Sequence, residues 1–553
     1  MGYRIGIGKV RYMRIHRRKK EKTGDPLKDN MDLSQRYQEV QKMKLEPGLE
    51  QNLQTLQQVC GYSQDLKIRR FNINGQIPAA LVYLDDMVNT LSVEEILRVL
   101  MVDVQRIEGW QKDRSLLRSA IKDLLIINSV EETDSIGELF LKMTHGNTAL
   151  LVEGQAAAFV CGTVDIKNRD ITEPLSETNI RGPRDGFVES LCINITLIRR
   201  RIRVPHLWIE TFEIGSLTKT QVAIAYIKGL ADEKMLEELR SRLERIDTDA
   251  ILESGYIEQY IEDQPFTLFP LTLRTERPDI VCSSILSGRV AVLVTGSPHV
   301  LVLPADFPMF FQASDDYYEK PPQGSFVRIL RWIGAIISVF LPGFYVAVVN
   351  FHQELLPTAL LLRVTASREG VPFPVIAEIL IMEVLFEVLR EAGIRLPVAV
   401  GPAISIVGAL VLGEAAIRAG IVSPAVVIVV AMTAIANFSN PVFSMAIVLR
   451  ILRFAFTILA AVFGLFGIQF GILLLVVHLC SLRSLGIPYM SPLAPNIPSD
   501  MKDNFLLAPI WARTTRPKIL GRREPVRQSP GQMPHPGKHS QEEIKGGNKD
   551  KNR

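Results

Sequence analysis

Hydrophobic and polar positions alternate in short bursts up to about residue 329 and then give way to long uncharged runs. In the first part, QIPAALVYLDDMV predicts a buried strand over Ala79–Leu84, and LSVEEILRVLMVDV predicts a helix. Ser92 and Glu95 stand at capping-box spacing, each placed to satisfy a free backbone donor of the first turn. ALLVEGQAAAFVCG puts two short β runs around Glu153-Gly154-Gln155, a hairpin signal. The same order then returns. A strand is predicted over Val222–Ile227, a helix carries Leu236, Leu239, Leu243 and Ile246 at helical spacing, and a second hairpin surrounds Gly296. Tyr226 follows Tyr83 by 143 residues and Gly296 follows Gly154 by 142, so the two patterns agree in register as well as order.

The later runs are of another kind. Trp332–Phe351 is uncharged over a length that crosses a hydrocarbon layer of about 30 Å. Val398–Gly413, Gly420–Phe438 and Phe454–Cys480 complete a minimum of four apolar segments. The expected fold class is an α/β soluble region of two related subdomains followed by an all-α transmembrane domain. The expected division is a basic disordered tail at 1–45, subdomains at 46–165 and 205–318 with a connecting segment at 166–204, a linker at 319–328, a helical membrane domain at 329–490 and a second basic tail at 491–553.

One stretch breaks the pattern. PFPVIAEILIMEVLFEVLREAG, Pro372–Gly393, is strongly apolar yet holds Glu378, Glu383, Glu387 and Glu391. At about 100° per residue the last three form one stripe, whereas Glu378 falls on another face and must meet a different neighbour. A carboxylate facing lipid at mid-bilayer costs at least ~2.5–3.5 kcal/mol, so this is no ordinary lipid-facing span. Three placements remain: flat at the interface, re-entrant, or spanning with the acids against a polar cavity or partner helices. Under the last, Glu378, Glu383 and Glu387 are candidate pore or cavity-lining residues. Arg390, three residues after Glu387, is placed to pair with it. Pro397, Gly401, Pro402, Pro424, Asn437, Asn440 and Pro441 interrupt the apolar segments and are candidate helix breaks or gates, because freed backbone groups in lipid need protein, water or an ion as partner.

Charge and chemistry refine the picture little. The net charge is +4, but basic residues crowd both ends, which suits anionic lipid or a cytoplasmic face better than nucleic acid. If Pro372–Arg390 does not cross, four spans return both basic tails to one side, the preferred topology; the Arg450–Arg453 pair counts against it. Five cysteines with no CxxC spacing fit a reducing compartment, and neither a metal nor a cofactor site is expected. No nucleophile elbow or phosphate loop appears, so no catalytic residues are assigned. Arg181 and Arg184 flank a Gly-Pro turn ahead of an arginine-rich helix end, and are candidate interdomain or anion contacts.

Four motifs carry a resemblance: EPLSETNIRGPRDGFVESL followed by IRRRIR, VPFPVIAEILIMEVLFEVLREAGIRLP, GPAISIVGALVLGEAAIRAGIVSPAVVIVVAMTAIANF, and SLGIPYMSPLAP with DMKDNFLLAPIW. With them the chain resembles the A subunits of GerA-type spore germinant receptors over roughly residues 50–520. The resemblance implies a spore inner-membrane protein with a large soluble N-terminal domain and a C-terminal membrane domain; the charge pattern places the soluble N-terminal region and the C-terminal tail on the cytoplasmic side, and no enzymatic role is expected. The resemblance also implies a permease-like B subunit and a lipoprotein C subunit as partners, self-association into an ion-conducting or signalling element, and a role in nutrient-triggered germination. No residue carries over as a nutrient ligand, since the family assigns nutrient binding mainly to the B subunit. The alternatives are a secondary transporter or a protein of the related stage V sporulation AF type that assists ion or small-molecule release.

Overall fold

The computed structural model describes residues 33–102, 129–164, 174, 177, 179–395, 411, 413–520 and 524–534. Ten strands form two antiparallel sheets. The first contains β1 (Leu66–Ile73), β2 (Ile77–Leu84), β3 (Val130–Thr133), β4 (Thr148–Val152) and β5 (Ala158–Cys161), in the order β1-β2-β4-β5-β3. The second contains β6 (Leu207–Ile214), β7 (Thr220–Ile227), β8 (Leu273–Thr275), β9 (Val290–Val294) and β10 (Val300–Leu303), in the order β6-β7-β9-β10-β8. One topology is thus used twice. The starts of β2 and β7 lie 143 residues apart, and those of β4 and β9 142 apart.

Period-2 alternation assigns successive residues to opposite sheet faces, and both faces are covered. In β2, Ala80 and Val82 join a core with helix α2 (Ile136–Met143), whereas Ala79 and Leu81 pack with helix α1 (Thr90–Val102). The central strands are therefore buried almost without interruption, as the apolar runs predict. The second sheet is covered likewise by α3 (Leu191–Arg201) and α5 (Pro278–Ile285) on one face and by α4 (Glu233–Glu244) on the other, where Leu236, Leu239 and Leu243 are buried. Gly154 and Gly296 sit in the β4–β5 and β9–β10 turns with φ of 83° and 88°, a left-handed conformation that glycine adopts freely.

The capping-box expectation is corrected. The start of α1 is capped by Asn89, whose Oδ1 accepts from the backbone N–H of Leu91 (2.9 Å) and Ser92 (3.2 Å), while Glu95 pairs with Arg98. Asn89 precedes the helix and reaches its free donors, whereas Ser92 already lies inside the first turn. The ends of the chain also differ from simple tails. Leu33–Lys42 is helical with Val40 buried, and Leu507 and Leu520 are buried in the C-terminal segment, so short apolar patches tie both segments down. Residues 1–32 and 535–553 lie outside the described part.

The helical region stands on the second sheet. Helix α6 (Pro321–Phe351) starts there: buried Arg328 pairs with Asp316 (3.2 Å) and Asp503 (3.0 Å), and Trp332 stacks on Phe311 with centroids 4.1 Å apart. Taking this as the lower end, α6 runs upward. A short helix α7 (Thr358–Arg368) follows, and α8 (Val375–Arg395) descends beside α9 (Pro424–Phe438). Their shared direction is fixed at both ends, since Glu378 of α8 accepts from the Ser423 backbone N–H and Arg390 lies over the Phe438 ring. Residues 396–410 and 412, between α8 and α9, lie outside the described part. Pro342 sits inside α6, where Gly343 lets the Phe456 backbone approach.

The final apolar segment is not a single span. Helix α10 (Phe443–Ser481) contains Gly464 at φ 60°, ψ −143°, and a Cβ on Gly471 would lie 2.6 Å from the Phe456 ring. Fifteen residues of straight helix extend about 22 Å, so the chain reverses at Gly464 and the two arms run antiparallel. Gly467 and Gly471 let the arms touch, Gly464 abuts Phe351 at the top of α6, and His478 returns to the sheet at Thr267 (3.1 Å). The expected single crossing of Phe454–Cys480 becomes a helical hairpin.

Candidate functional site

The acidic helix α8 lies within the bundle with Glu378, Glu383 and Glu387 turned inward. Glu378 and Glu383 are fully buried, whereas Val384 and Val388 are 52% and 61% exposed. A helix lying flat on water would show the opposite arrangement. Glu378, Glu383 and Glu387 each meet arginine from another helix. Glu378 accepts from Arg368 of α7 (3.2 Å) and from the Ser423 N–H at the start of α9 (2.8 Å). Glu387 receives Arg450 (2.7 Å) and Arg453 (2.9 Å), both from the first arm of α10. Glu383 has Arg453 Nε at 3.3 Å, a charge contact without hydrogen-bond alignment, and neither of its oxygens has a hydrogen-bond partner. The outermost acid, Glu391, pairs along the helix with exposed Arg395 (2.7 Å).

Helical spacing places Glu378 and Glu383 against different neighbours, and the structure supplies two: α7 with α9, and α10. The expected Glu387–Arg390 pair does not form. Arg390 instead lies over Phe438, and Asn437, with its amide turned to satisfy both ends, accepts from Arg390 (3.0 Å) and donates to the Ala446 carbonyl (3.2 Å). Two guanidinium groups from α10 outcompete a neighbour one turn away, because they approach from the side that α8 buries. This arrangement also accounts for Arg450 and Arg453 inside an apolar region: they are counter-ions to Glu383 and Glu387.

The expected breaks resolve into helix ends where they are described. Pro424 opens α9, where a missing N–H costs nothing. Asn440 Oδ1 accepts from the Val442 N–H (3.1 Å) ahead of α10, and Pro441 lies in the same turn. Pro397, Gly401 and Pro402 lie outside the described residues. Sequence reasoning missed Arg368 as a partner and Gly464 as a reversal. The Gly464, Gly467 and Gly471 spacing was the available signal for the latter.

Beneath the bundle lies a cavity of about 640 Å³, between the second sheet, the base of α6 and the C-terminal segment. Arg331, Asn440, Pro441 and Glu177 line it, and none of the three candidate pore acids does. Burial pushes the Glu177 carboxyl up to about 7, against a Thr275 hydrogen bond that lowers it. Arg181 pairs with Glu319 just before α6 (3.7 Å), and Arg184 is exposed. Arg199, buried against Asp65 (2.7 Å), bridges the two sheet units. Among the described residues, no cluster of three or more His, Cys, Asp or Glu side chains is placed to hold a metal.

A sheet-rich region carried on an apolar bundle with internal carboxylate–arginine clusters defines a membrane-associated protein. Among the described residues, helix Pro321–Phe351 and the Phe443–Ser481 segment, folded into its two arms, have the apolar length that membrane crossing requires. The chain belongs to the Bacillus/Clostridium GerA spore germination protein family, whose model matches residues 54–519. Similar proteins include spore germination protein KA of Bacillus subtilis (46% identical, covering 89% of this chain and 90% of that one) and spore germination protein GerLA of Bacillus cereus (37%, covering 86% and 96%). An uncharacterized membrane protein of Bacillus subtilis, YfkQ, is 40% identical over 89% of this chain and 95% of that one. The crystal structure of the N-terminal domain of the A subunit of the Bacillus megaterium spore germinant receptor GerK3 is 33% identical, with a TM-score of 0.39, covering 48% of this chain and 98% of that one.

Proposed function

We propose that this chain is the A subunit of a nutrient germinant receptor in the spore inner membrane and is not an enzyme. It acts with a permease-like B subunit and a lipoprotein C subunit. Copies of it assemble into the ion-conducting or signal-transducing element that commits a dormant spore to germinate. The family and the names of its relatives support the germination role. One structural observation carries the membrane mechanism: α8 buries Glu378 and Glu383 and exposes Val384 and Val388, the inside-out arrangement that suits a helix surrounded by lipid and lining a polar interior.

On this reading α6, α8, α9 and both arms of α10 cross the membrane, and because α8 and α9 run in the same direction the chain also returns between them. An even number of crossings leaves the soluble region and the C-terminal segment together, on the cytoplasmic side. The internal ion pairs then act as a two-state latch: nutrient binding in a partner shifts the assembly, the arginines release Glu383 and Glu387, and cations pass the freed carboxylates. Glu378 joins that path from a second face. The turn at Asn437, Asn440 and Pro441 is the hinge between α9 and α10.

The test is conductance across planar bilayers by the reconstituted receptor, intact and with Glu383→Gln. A changed current or selectivity is expected. An unchanged current removes Glu383 from the pathway and leaves the chain a signalling scaffold.

A further inference from the structure

The loop between Ile261 and Leu273 carries two apolar side chains left exposed by the described residues. Phe266 is 100% exposed and Leu268 is 50% exposed. Between them Thr267 meets His478 in the last turn of α10 (3.1 Å), and Phe269 packs its ring against the same histidine with centroids 6.1 Å apart. The loop tip therefore sits where the second arm of α10 leaves the bundle. The outward side chains of that arm are apolar up to this level, with Leu473 and Val477 each 60% exposed.

The loop is built to hold this shape. Asp263 accepts from the Gly486 N–H (2.9 Å) and pairs with Arg242 (2.5 Å). The Thr267 N–H donates to the Gln264 carbonyl (3.3 Å), and Phe269 is buried against the sheet. A phenyl ring held fully outside a constrained turn is not a folding accident that a rotation could correct.

We propose that Phe266 and Leu268 form an interfacial anchor that enters the headgroup and upper acyl region of the same bilayer the bundle crosses. The occupant is lipid because the exposed apolar surface of α10 runs continuously to this loop, and aromatic side chains favour the membrane–water boundary. Arg483, just past the end of α10, is exposed, and an anchor at this depth would bring it to the level of anionic headgroups. The anchor fixes one edge of the second sheet against the membrane surface, so the soluble region cannot swing freely beneath the bundle. The inference rests on the membrane reading of α10, and its test separates the two.

The full chain is prepared with exposed Cys192 and Cys480 replaced by serine, and carries a polarity-sensitive fluorophore at either Phe266→Cys or Val477→Cys. It is reconstituted into phosphatidylcholine and phosphatidylglycerol vesicles with brominated acyl chains. The expected result is blue-shifted emission and strong quenching at both positions, with shallow bromines more effective at 266. Quenching at 477 with water-like emission at 266 overturns the anchor and leaves the membrane reading intact. Blue-shifted but unquenched emission at 266 also overturns it, since protein rather than lipid then covers the loop. No quenching at either position overturns both.

Discussion

Arg453, on the first arm of α10, lies 3.3 Å from Glu383 and 2.9 Å from Glu387, so one guanidinium ties together two carboxylates of α8. All of Glu383 and nearly all of Arg453 are hidden from solvent. Removing one partner leaves the other charged and uncompensated in a low-dielectric interior. Arg453→Met is expected to destabilise the protein by about 3–5 kcal/mol. Adding Glu383→Gln removes the orphaned charge and recovers most of that loss. Thermal unfolding of single and double variants in detergent measures the coupling; simple additivity of the two effects sinks the pairing.

The reversal in α10 depends on one residue. Gly464 combines φ 60° with ψ −143°, a conformation nearly closed to residues with a Cβ, and a methyl there would lie 3.0 Å from His352 and 3.1 Å from Phe351. Gly464→Ala is expected to cost about 1–3 kcal/mol and to loosen the hairpin. Cross-linking of cysteines placed at Phe456 and Gly471 reports the loss, and undiminished cross-linking argues for a reversal that tolerates alanine.

Topology can be read from native thiols. Cys192 in the soluble region and Cys480 at the foot of α10 are both exposed. An even number of crossings makes both react with a membrane-impermeant maleimide from the same side of oriented vesicles. Labelling from opposite sides means that one of the proposed passes does not cross.

Glu177 gives a pH signature outside the bundle. Burial chiefly, with the nearby charges of Glu276 and Asp279, lifts its carboxyl from 4.5 to about 7, above its value in the unfolded chain. The folded state thus prefers the neutral acid, and this favourable contribution is present below about 4.5 and lost as pH rises to about 7. Glu177→Gln is expected to flatten the decline in stability across that window and to exceed the parent above it. Chemical denaturation at several pH values checks the slope, and parallel curves for the two proteins refute the assignment.

Between the two sheet units, Asp65 is buried, which raises its pKa, but the Arg199 charge and hydrogen bonds with Arg199 and Ser63 leave it below the usual carboxylate range. Its stabilising contribution is present above the unfolded value near 3.8 and lost as pH falls through the folded value. Asp65→Asn is expected to destabilise by about 3–5 kcal/mol at neutral pH by orphaning Arg199. Denaturant titration of the intact chain reads this, and a change within error shows that the buried pair contributes nothing.

Much of this architecture was legible along the chain. Alternation and burial runs marked β2, β4, β7 and β9, and the constant spacing of Tyr83 to Tyr226 announced a repeated topology, because strand and hairpin signals are local. Family motifs in the acidic stretch pointed to spore germination. Local signals also marked apolar segments, but not how each is used. An uncharged run is long enough to span whether it runs straight or doubles back, and only contacts such as Phe456 with Gly471 show that α10 reverses.

The sequence by itself determined that Glu378, Glu383 and Glu387 could not stand alone in oil, since the cost of an isolated charge there depends only on composition and depth. Which groups compensate them was decided by tertiary structure. Arg368, Arg450 and Arg453 lie 10, 63 and 66 residues from the acids they bond, and such pairings depend on how helices cross rather than on their spacing in the chain. Burial then makes those pairings compulsory, because a low-dielectric interior magnifies both the attraction between charges and the penalty for leaving one unmatched.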